Sequence, residues 1–138
     1  MIKNAKSYMR MAHEWSLNSH AQRSKVGCLI IKNARIISDG YNGTPKGFPN
    51  ECEHIIDGNW ITKDEVLHAE SNAIAKLATS TQNSNGASMF ITLAPCWDCA
   101  KLIIQCGIKE VYYKDDYTTN EGLILLNRAQ IKTIKLKL

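Results

Sequence analysis

The chain has 138 residues, of which 44% are hydrophobic and 22% charged, and its formal net charge is +4. This length and balance fit one globular domain and exclude a disordered chain. No run approaches the roughly 20 consecutive apolar residues of a membrane span, and residues 1–6 lack the apolar core of a signal peptide. The mild positive charge suits an anionic small substrate better than a polynucleotide.

Five cysteines are present, and two of them stand in a C-x-x-C pattern that is typical of metal ligands. An odd count that includes such a pair favours a reducing intracellular compartment over a framework of disulfides. We therefore expect a cytoplasmic protein.

The first part of the chain predicts a helix followed by a hairpin. Residues 2–17 place one set of side chains at helical spacing: Ile2, Ala5, Met9, Ala12 and Ser16. Residues 26–31 form an apolar run, and a short connection leads to a second strand at 35–41. Cys28 lies inside the first of these strands and is expected to be a small core residue rather than a ligand.

Residues 42–64 show no clear periodicity, and several turn-forming residues fall there: Gly43, Pro45, Gly47, Pro49 and Gly58. A loop of this length inside a compact domain is usually functional or mobile. Thr62-x-x-Glu65 matches a capping box and predicts a helical turn near the end of the loop.

The second half of the chain predicts helices that alternate with strands. A helix over about 69–79 has Ala73, Ile74 and Leu77 on its buried side, and a strand follows at 87–93. Pro95 is expected to start a third helix. This helix runs to about Cys106 and stops at Gly107 as a C′ glycine.

A strand is predicted next at 109–114, and Thr118-x-x-Glu121 resembles a capping box ahead of a fourth helix. The apolar side of that helix is formed by Leu123, Ile124 and Leu126. Residues 134–138 alternate as a half-exposed strand at a sheet edge. This order of elements predicts an α/β domain, with a mixed sheet and helices on both faces.

Two short motifs carry the candidate chemistry: His68-Ala69-Glu70 and Pro95-Cys96-Trp97-Asp98-Cys99. His68, Cys96 and Cys99 are the ligand types that Zn²⁺ prefers, and three protein ligands leave a fourth position open, as in catalytic zinc sites. Glu70 is not needed as a ligand and is free to move protons. The pattern H-x-E…P-C-x-x-C is the known signature of zinc nucleobase deaminases.

Both ligand groups fall at the starts of predicted helices. The free N–H groups and the dipole of a helix N-terminus favour thiolate over thiol. The alternative is a closed structural zinc whose fourth ligand is Cys52 or His54. A closed site would leave Glu70 without a role.

The sequence around these motifs resembles the deoxycytidylate (dCMP) deaminase family over roughly residues 20–135. The resembling segments are HAESNAI at 68–74, PCWDCAKLIIQ at 95–105, GYNGTPKG at 40–47, VG at 26–27 and IKEV at 108–111. The resemblance implies one domain over 1–138 with the cytidine-deaminase fold, a three-layer α-β-α arrangement around a mixed five-stranded sheet. It implies hydrolysis of dCMP to dUMP and ammonia, which supplies dUMP for thymidylate synthesis, in a bacterial or phage member.

The resemblance also implies roles for individual residues. It assigns zinc to His68, Cys96 and Cys99, and the proton shuttle to Glu70. Around the substrate it implies contacts from the sugar-binding Asn42, the flanking Tyr117, and Ala69 and Pro95 of the two motifs.

The 5′-phosphate needs cations, hydroxyls or free backbone donors. Arg23, Ser24 and Lys25 are the best-placed candidates. Relatives often carry an acidic residue and a proline before the Val-Gly pair, where this chain has Ala21-Gln22-Arg23. A solvated basic turn is the alternative interpretation of this segment.

Relatives with the GYNG-x-P-x-G loop form hexamers that dCTP with Mg²⁺ activates and dTTP inhibits, so the resemblance implies an effector site. Its candidate residues are Gly43, Lys46 and Gly47. Some relatives bind a second zinc from the loop before the histidine motif, where this chain offers Cys52 and His54.

Two other functions remain open at this stage. A tRNA adenosine deaminase shares both zinc motifs, but it needs a groove with basic and stacking residues. Only 7% of this chain is aromatic and its positive charge is spread out, so the sequence favours a nucleotide substrate, with no polynucleotide and no membrane partner. A zinc-stabilised binding module without catalysis is the remaining alternative.

Overall fold

The computed structural model describes all of residues 1–138. It holds four helices and seven strands, which in chain order are α1 (Ala5–Ser16), β1 (Gly27–Lys32), β2 (Arg35–Tyr41), β3 (Glu53–Ile56), β4 (Asn59–Thr62), α2 (Ala69–Leu77), β5 (Ser88–Leu93), α3 (Trp97–Gln105), β6 (Glu110–Asp115), α4 (Glu121–Arg128) and β7 (Lys132–Lys135). No helix is both long and apolar enough to cross a membrane.

A five-stranded sheet of order β2-β1-β5-β6-β7 forms the centre of the molecule. β1 pairs antiparallel with β2 and with β5, whereas β5–β6 and β6–β7 are parallel and are connected by α3 and α4. The predicted α/β class with a mixed sheet is confirmed.

The two faces of the sheet bury separate cores because successive side chains of a strand point to opposite sides. On β1, Cys28 and Ile30 face the core formed with α2, α3 and α4, whereas Leu29 and Ile31 face the core formed with α1. Phe90 of β5 lies on the α1 side, where its ring stacks on Tyr112 at 4.4 Å. The chain is therefore built in three layers, and Cys28 is a core residue, as predicted.

Close packing of α2 on β2 depends on Gly40. A Cβ at this position would lie 2.6 Å from the Ala69 carbonyl oxygen and 2.8 Å from the Ala73 nitrogen. Such distances are far shorter than ordinary non-bonded contacts. The absence of a side chain at Gly40 thus sets how close the start of α2, with its His-x-Glu motif, comes to the sheet.

The expected structureless loop at 42–64 is wrong in its second half, which forms the β3–β4 hairpin. Its two-residue turn is Asp57-Gly58, and both residues have positive φ, 50° and 77°. Asp-Gly between two segments with apolar residues, Ile55-Ile56 and Trp60-Ile61, is a strong hairpin signal, because both central positions of a type I′ turn need positive φ. Glu53 is the only buried residue of the hairpin.

Several predicted element ends also differ from the structure. Pro95 does not start α3: Cys96 is the N-cap and Trp97 is the first helical residue. Thr118 caps nothing, since α4 starts after Asn120, whose side chain makes no capping bond. Thr62 ends β4, and only a single turn follows it, closed by the bond from the Val66 N–H to the Lys63 carbonyl at 3.2 Å, with no helix.

Smaller corrections concern the helix and strand surfaces. Ile2 lies outside α1, although the other four periodic positions of that helix are buried as predicted. Ile124 of α4 is exposed. The last strand is Lys132–Lys135 rather than 134–138, and it forms the predicted sheet edge. Gly107 follows the C-cap of α3 with φ 82°, as predicted.

Candidate active site

Three candidate metal ligands meet where two helices begin. His68 is the N-cap of α2, Cys96 is the N-cap of α3, and Cys99 lies in the first turn of α3. The His68 Nδ1 atom lies 3.4 Å from the Cys96 Sγ and 3.3 Å from the Cys99 Sγ. The sequence interval of 28 residues between the motifs is bridged because α2 and α3 pack side by side on the same face of the sheet.

The geometry fits a tetrahedral zinc ion. Zn–S bonds of about 2.3 Å and Zn–N bonds of about 2.0 Å at tetrahedral angles place a ligand sulfur and nitrogen about 3.5 Å apart. The observed separations are close to that value, and all three ligand atoms lie within 4.8 Å of one another. No fourth His, Cys, Asp or Glu ligand atom joins this group.

The electrostatics of the two thiols are unequal. A hydrogen bond from Cys99, together with the nearby His68, lowers the pKa of Cys96 to about 4. The Cys96 Sγ also accepts the Cys99 backbone N–H at 3.4 Å. The pKa of Cys99 is raised because its proton is held by Cys96 and its site is buried. Contact with the Cys96 thiolate raises the pKa of the His68 imidazole.

Glu70 lies in the first turn of α2 and is 4% exposed. Burial is the main cause that raises its pKa to about 7, since a low-dielectric site disfavours the carboxylate. A carboxyl group with this pKa can both accept and release a proton near neutral pH, which is what a general acid–base catalyst requires.

A cavity of about 410 Å³ opens above these residues, a size in the range of small-molecule sites. Part of its wall comes from the two motifs, through His68, Ala69, Glu70 and Cys96. Its other walls come from the segment after α1, the β3–β4 hairpin and the segment after β6: Ala21, Arg23, Ser24, Glu53, Thr62, Asp116, Tyr117 and Thr118.

Most of the predicted substrate residues line this cavity, and two do not. Asn42, Ala69 and Tyr117 are among its lining residues, as are Arg23 and Ser24. Lys25 and Pro95 are not. Lys25 is exposed on the segment before β1, and Pro95 is buried directly before Cys96 in the chain.

The side chain of Asn42 is held by the segment before β1. Its Oδ1 accepts the Val26 N–H at 2.9 Å, and its Nδ2 donates to the Ser24 carbonyl at 2.7 Å. An amide has two donors and two lone pairs, so one of each remains for a ligand in the cavity.

Sequence reasoning missed Glu53 and Thr62, which face each other across the hairpin and line the cavity. The Glu53 Oε2 accepts the N–H groups of Gln22 at 2.8 Å and Arg23 at 2.9 Å. The Asp57-Gly58 turn would have placed Glu53 opposite Thr62. No sequence signal links Glu53 to Gln22 and Arg23, which lie some 30 positions earlier.

A second cavity, of about 240 Å³, lies on the far side of the 42–50 loop. Gly43 and Lys46, two of the three predicted effector residues, line it, whereas Gly47 does not. The remaining lining residues are mostly polar: His20, Tyr41, Thr44, Asn50, Asn72 and Lys76.

Cys52 and His54 do not form a metal cluster with a third ligand. Cys52 is buried, with its Sγ 3.5 Å from the Asn50 carbonyl, and His54 is exposed on β3. Neither residue completes the His68 cluster as a fourth ligand, so the closed structural zinc finds no support.

The family comparison agrees with this geometry. The family model for the cytidine and deoxycytidylate deaminase zinc-binding region matches residues 2–115. The deoxycytidylate deaminase of Enterobacteria phage T4 is 35% identical, and the alignment covers 85% of this chain and 80% of the relative. This chain belongs to that deaminase family. It is a hydrolase of the zinc-binding class, and the open His-Cys-Cys group has the ligand types and separations that a zinc ion needs.

Solved structures agree with this deaminase along its whole length. The dCMP deaminase of cyanophage S-TIM5, in complex with dCMP and dUMP, is 40% identical with a TM-score of 0.91, covering 99% of both chains. A tRNA:A34 deaminase matches at a TM-score of 0.64 and 17% identity, which shows a shared fold only.

Proposed function

We propose that this deaminase hydrolyses dCMP to dUMP and ammonia. The observation that carries the proposal is one cavity whose wall includes residues of an open His-Cys-Cys group, the buried Glu70 and a cation that makes no ion pair. That cation is Arg23, which takes part in none of the ion pairs of the molecule. The 40% identical cyanophage enzyme, crystallised with dCMP and dUMP, supports the same substrate.

His68, Cys96 and Cys99 hold the zinc ion, which when bound supplies a Lewis acid that lowers the pKa of water. Glu70 accepts a proton from the attacking water. It gives that proton to the ring nitrogen beside the amidine carbon, which makes this carbon more electrophilic. Glu70 then accepts the second proton of the water, from the hydroxyl group now bonded to this carbon, and gives it to the departing amine. A C–O bond forms, the C–N bond breaks, and ammonia leaves.

The other cavity residues orient the nucleotide. The unused N–H and lone pair of the Asn42 side-chain amide hydrogen-bond the sugar 3′-hydroxyl. The ring of Tyr117 flanks the substrate. Arg23 and Ser24 provide a guanidinium and a hydroxyl for the 5′-phosphate. Since Lys25 does not line the cavity, it is not assigned to the phosphate.

The second cavity supports regulation by dCTP, bound with Mg²⁺, as activator and by dTTP as inhibitor. Lys46 brings positive charge to it, as a triphosphate requires, and Lys76 also lines it, paired with Asp39 at 2.8 Å. Gly43 lies on this cavity and exchanges two hydrogen bonds with Leu67, at 3.1 and 2.8 Å, directly before the ligand His68. Its neighbour Asn42 lines the catalytic cavity, so one loop touches both sites.

In the cell, this function places the protein in the cytoplasm, where it supplies dUMP for thymidylate synthesis. A homohexamer is the proposed assembly. These assignments follow from the family resemblance of the GYNG-x-P-x-G loop and the zinc motifs.

Ammonia release from dCMP, cytidine and a tRNA anticodon stem-loop tests the proposed substrate directly. We expect rapid release from dCMP, and slow or no release from the other two. Release from the stem-loop alone would replace the proposal with RNA editing, and release from none of the three would leave a binding module.

A further inference from the structure

The β3–β4 hairpin forms one wall of the catalytic cavity but belongs to no larger sheet. All its residues except Glu53 are exposed, so little apolar burial fixes its position. The hydrogen bonds made by the single buried side chain, that of Glu53, therefore position the hairpin as a wall of the cavity.

Glu53 makes these bonds to the segment that carries the proposed phosphate ligands. Its Oε2 accepts two successive backbone N–H groups, those of Gln22 and Arg23. A carboxylate that accepts N–H groups forms charge-assisted bonds, which are about twice as strong as neutral ones. From the facing position on β4, the Thr62 Oγ1 accepts a bond from the Arg23 guanidinium at 3.3 Å.

Arg23 is thus held at both ends by the hairpin, and its charge is not neutralised there. From Arg23, Glu53 accepts only the main-chain N–H, and it forms no ion pair with the Arg23 guanidinium. Arg23 and Thr62 both line the cavity, and the guanidinium that joins them has donors to spare, because it has five N–H groups and Thr62 takes one.

We propose that Glu53 is a positioning residue for phosphate recognition: by tying the hairpin to the Gln22–Arg23 backbone, it presents the Arg23 guanidinium to the 5′-phosphate of the substrate. This inference rests on the proposed function. Glu53 acts through Arg23 and does not touch the reacting atoms, so it governs selection of the nucleotide over the nucleoside.

Steady-state kinetics of Glu53→Ala with dCMP and deoxycytidine test this role. We expect the KM for dCMP to rise roughly 10- to 100-fold, the range that charged hydrogen bonds represent. We expect kcat for dCMP, and kcat/KM for deoxycytidine, to stay within about threefold of the parent protein. Glu51→Ala is the matched control, because Glu51 lies two residues away, is exposed and makes only a 3.9 Å ion pair with Lys63.

Glu53→Gln keeps an oxygen acceptor on a side chain of the same length, so we expect it to retain most of the preference for dCMP. Parallel losses for dCMP and deoxycytidine in Glu53→Ala would overturn the positioning role and leave a stabilising one. A glutamine variant as poor as the alanine variant would overturn it as well, and so would unchanged kinetics.

If Glu53→Ala does not fold, Glu53→Asp replaces it, since the shorter side chain withdraws the acceptor and keeps the charge. The same shift in KM is expected for that variant, and its absence would overturn the proposal. A parent protein that releases no ammonia from dCMP would instead refute the proposed function itself.

Discussion

Gly122 and Pro95 approach so closely that no side chain fits between them. A Cβ on Gly122 would overlap the Pro95 carbonyl oxygen and would lie 2.9 Å from that of Cys96. The start of α4 therefore packs directly against the backbone that presents the ligand Cys96. Any side chain added at Gly122 must therefore displace either α4 or the segment that carries Cys96.

Gly122→Ala is accordingly expected to lower both stability and zinc retention. Overpacking of a filled site costs about 1–3 kcal/mol, and the displaced loop moves Cys96 away from His68. Thermal unfolding and metal analysis measure the two effects. Gly43→Ala is the control, since a Cβ there meets nothing within 4 Å. Equal stability and zinc content in both variants would contradict the packing argument.

Glu70→Gln is expected to keep the fold and the zinc but to lose activity by at least about 10²–10⁴-fold, the contribution of general acid–base catalysis. The amide has nearly the same volume and cannot accept the proton. Ammonia release and zinc content are measured together. The exposed Glu65→Gln provides a control for loss of a carboxylate. Substantial turnover by the Glu70 variant would remove this residue from the mechanism.

Cys99→Ala is expected to lose zinc and to unfold more easily, because metal binding is coupled to folding. Metal analysis should show about one zinc per parent chain and background levels in the variant. Cys106→Ala removes a half-buried thiol outside the cluster and should retain the metal. Unchanged zinc in Cys99→Ala would show that the ligand set is wrong.

Removal of the metal from the parent protein should have the same effect as loss of a ligand. A strong chelator is expected to abolish ammonia release and lower the unfolding temperature, and added Zn²⁺ should restore both. A chelated protein that stays fully active would exclude zinc from the reaction.

Lys46→Ala is expected to weaken the response to dCTP. In the parent, dCMP saturation should be sigmoidal and become hyperbolic with dCTP and Mg²⁺, since an effector shifts affinity by about 5- to 150-fold in typical cases. The variant loses one cation of the second cavity and should need more dCTP. Lys6→Ala, on α1, is the control. Hyperbolic kinetics unaffected by dCTP or dTTP would remove the regulation and leave the deaminase assignment standing.

The zinc motifs were predictable because their information is local. His68 and Glu70 share one helix start and Cys96 and Cys99 share another, so residue type and spacing determine the arrangement within each pair. Apolar runs bounded by turn residues likewise predicted the central strands, and the order of elements predicted a mixed sheet with helices on both faces.

The walls of the cavity were not predictable, because they depend on contacts between distant segments. Glu53 binds residues 22 and 23 through backbone N–H groups, which leave no trace in the identity of those residues. Thr118 failed as a cap for a related reason. A capping box is a local preference, whereas α4 begins after Asn120, where Gly122 packs against the backbone of the distant Pro95.

The position of β5 between β1 and β6 has a consequence for how the protein folds. His68 belongs to the first half of the chain, where α2 packs on β1 and β2, whereas Cys96 and Cys99 follow β5. The His68 imidazole and the two cysteine thiolates come together only when β5 has paired with β1. In that pairing Cys28 lies opposite Ile91. Strand pairing over such sequence separations is slow compared with hairpin formation. We therefore expect metal capture to be a late event in folding, with the zinc site incomplete in a newly made chain until its central strand is inserted.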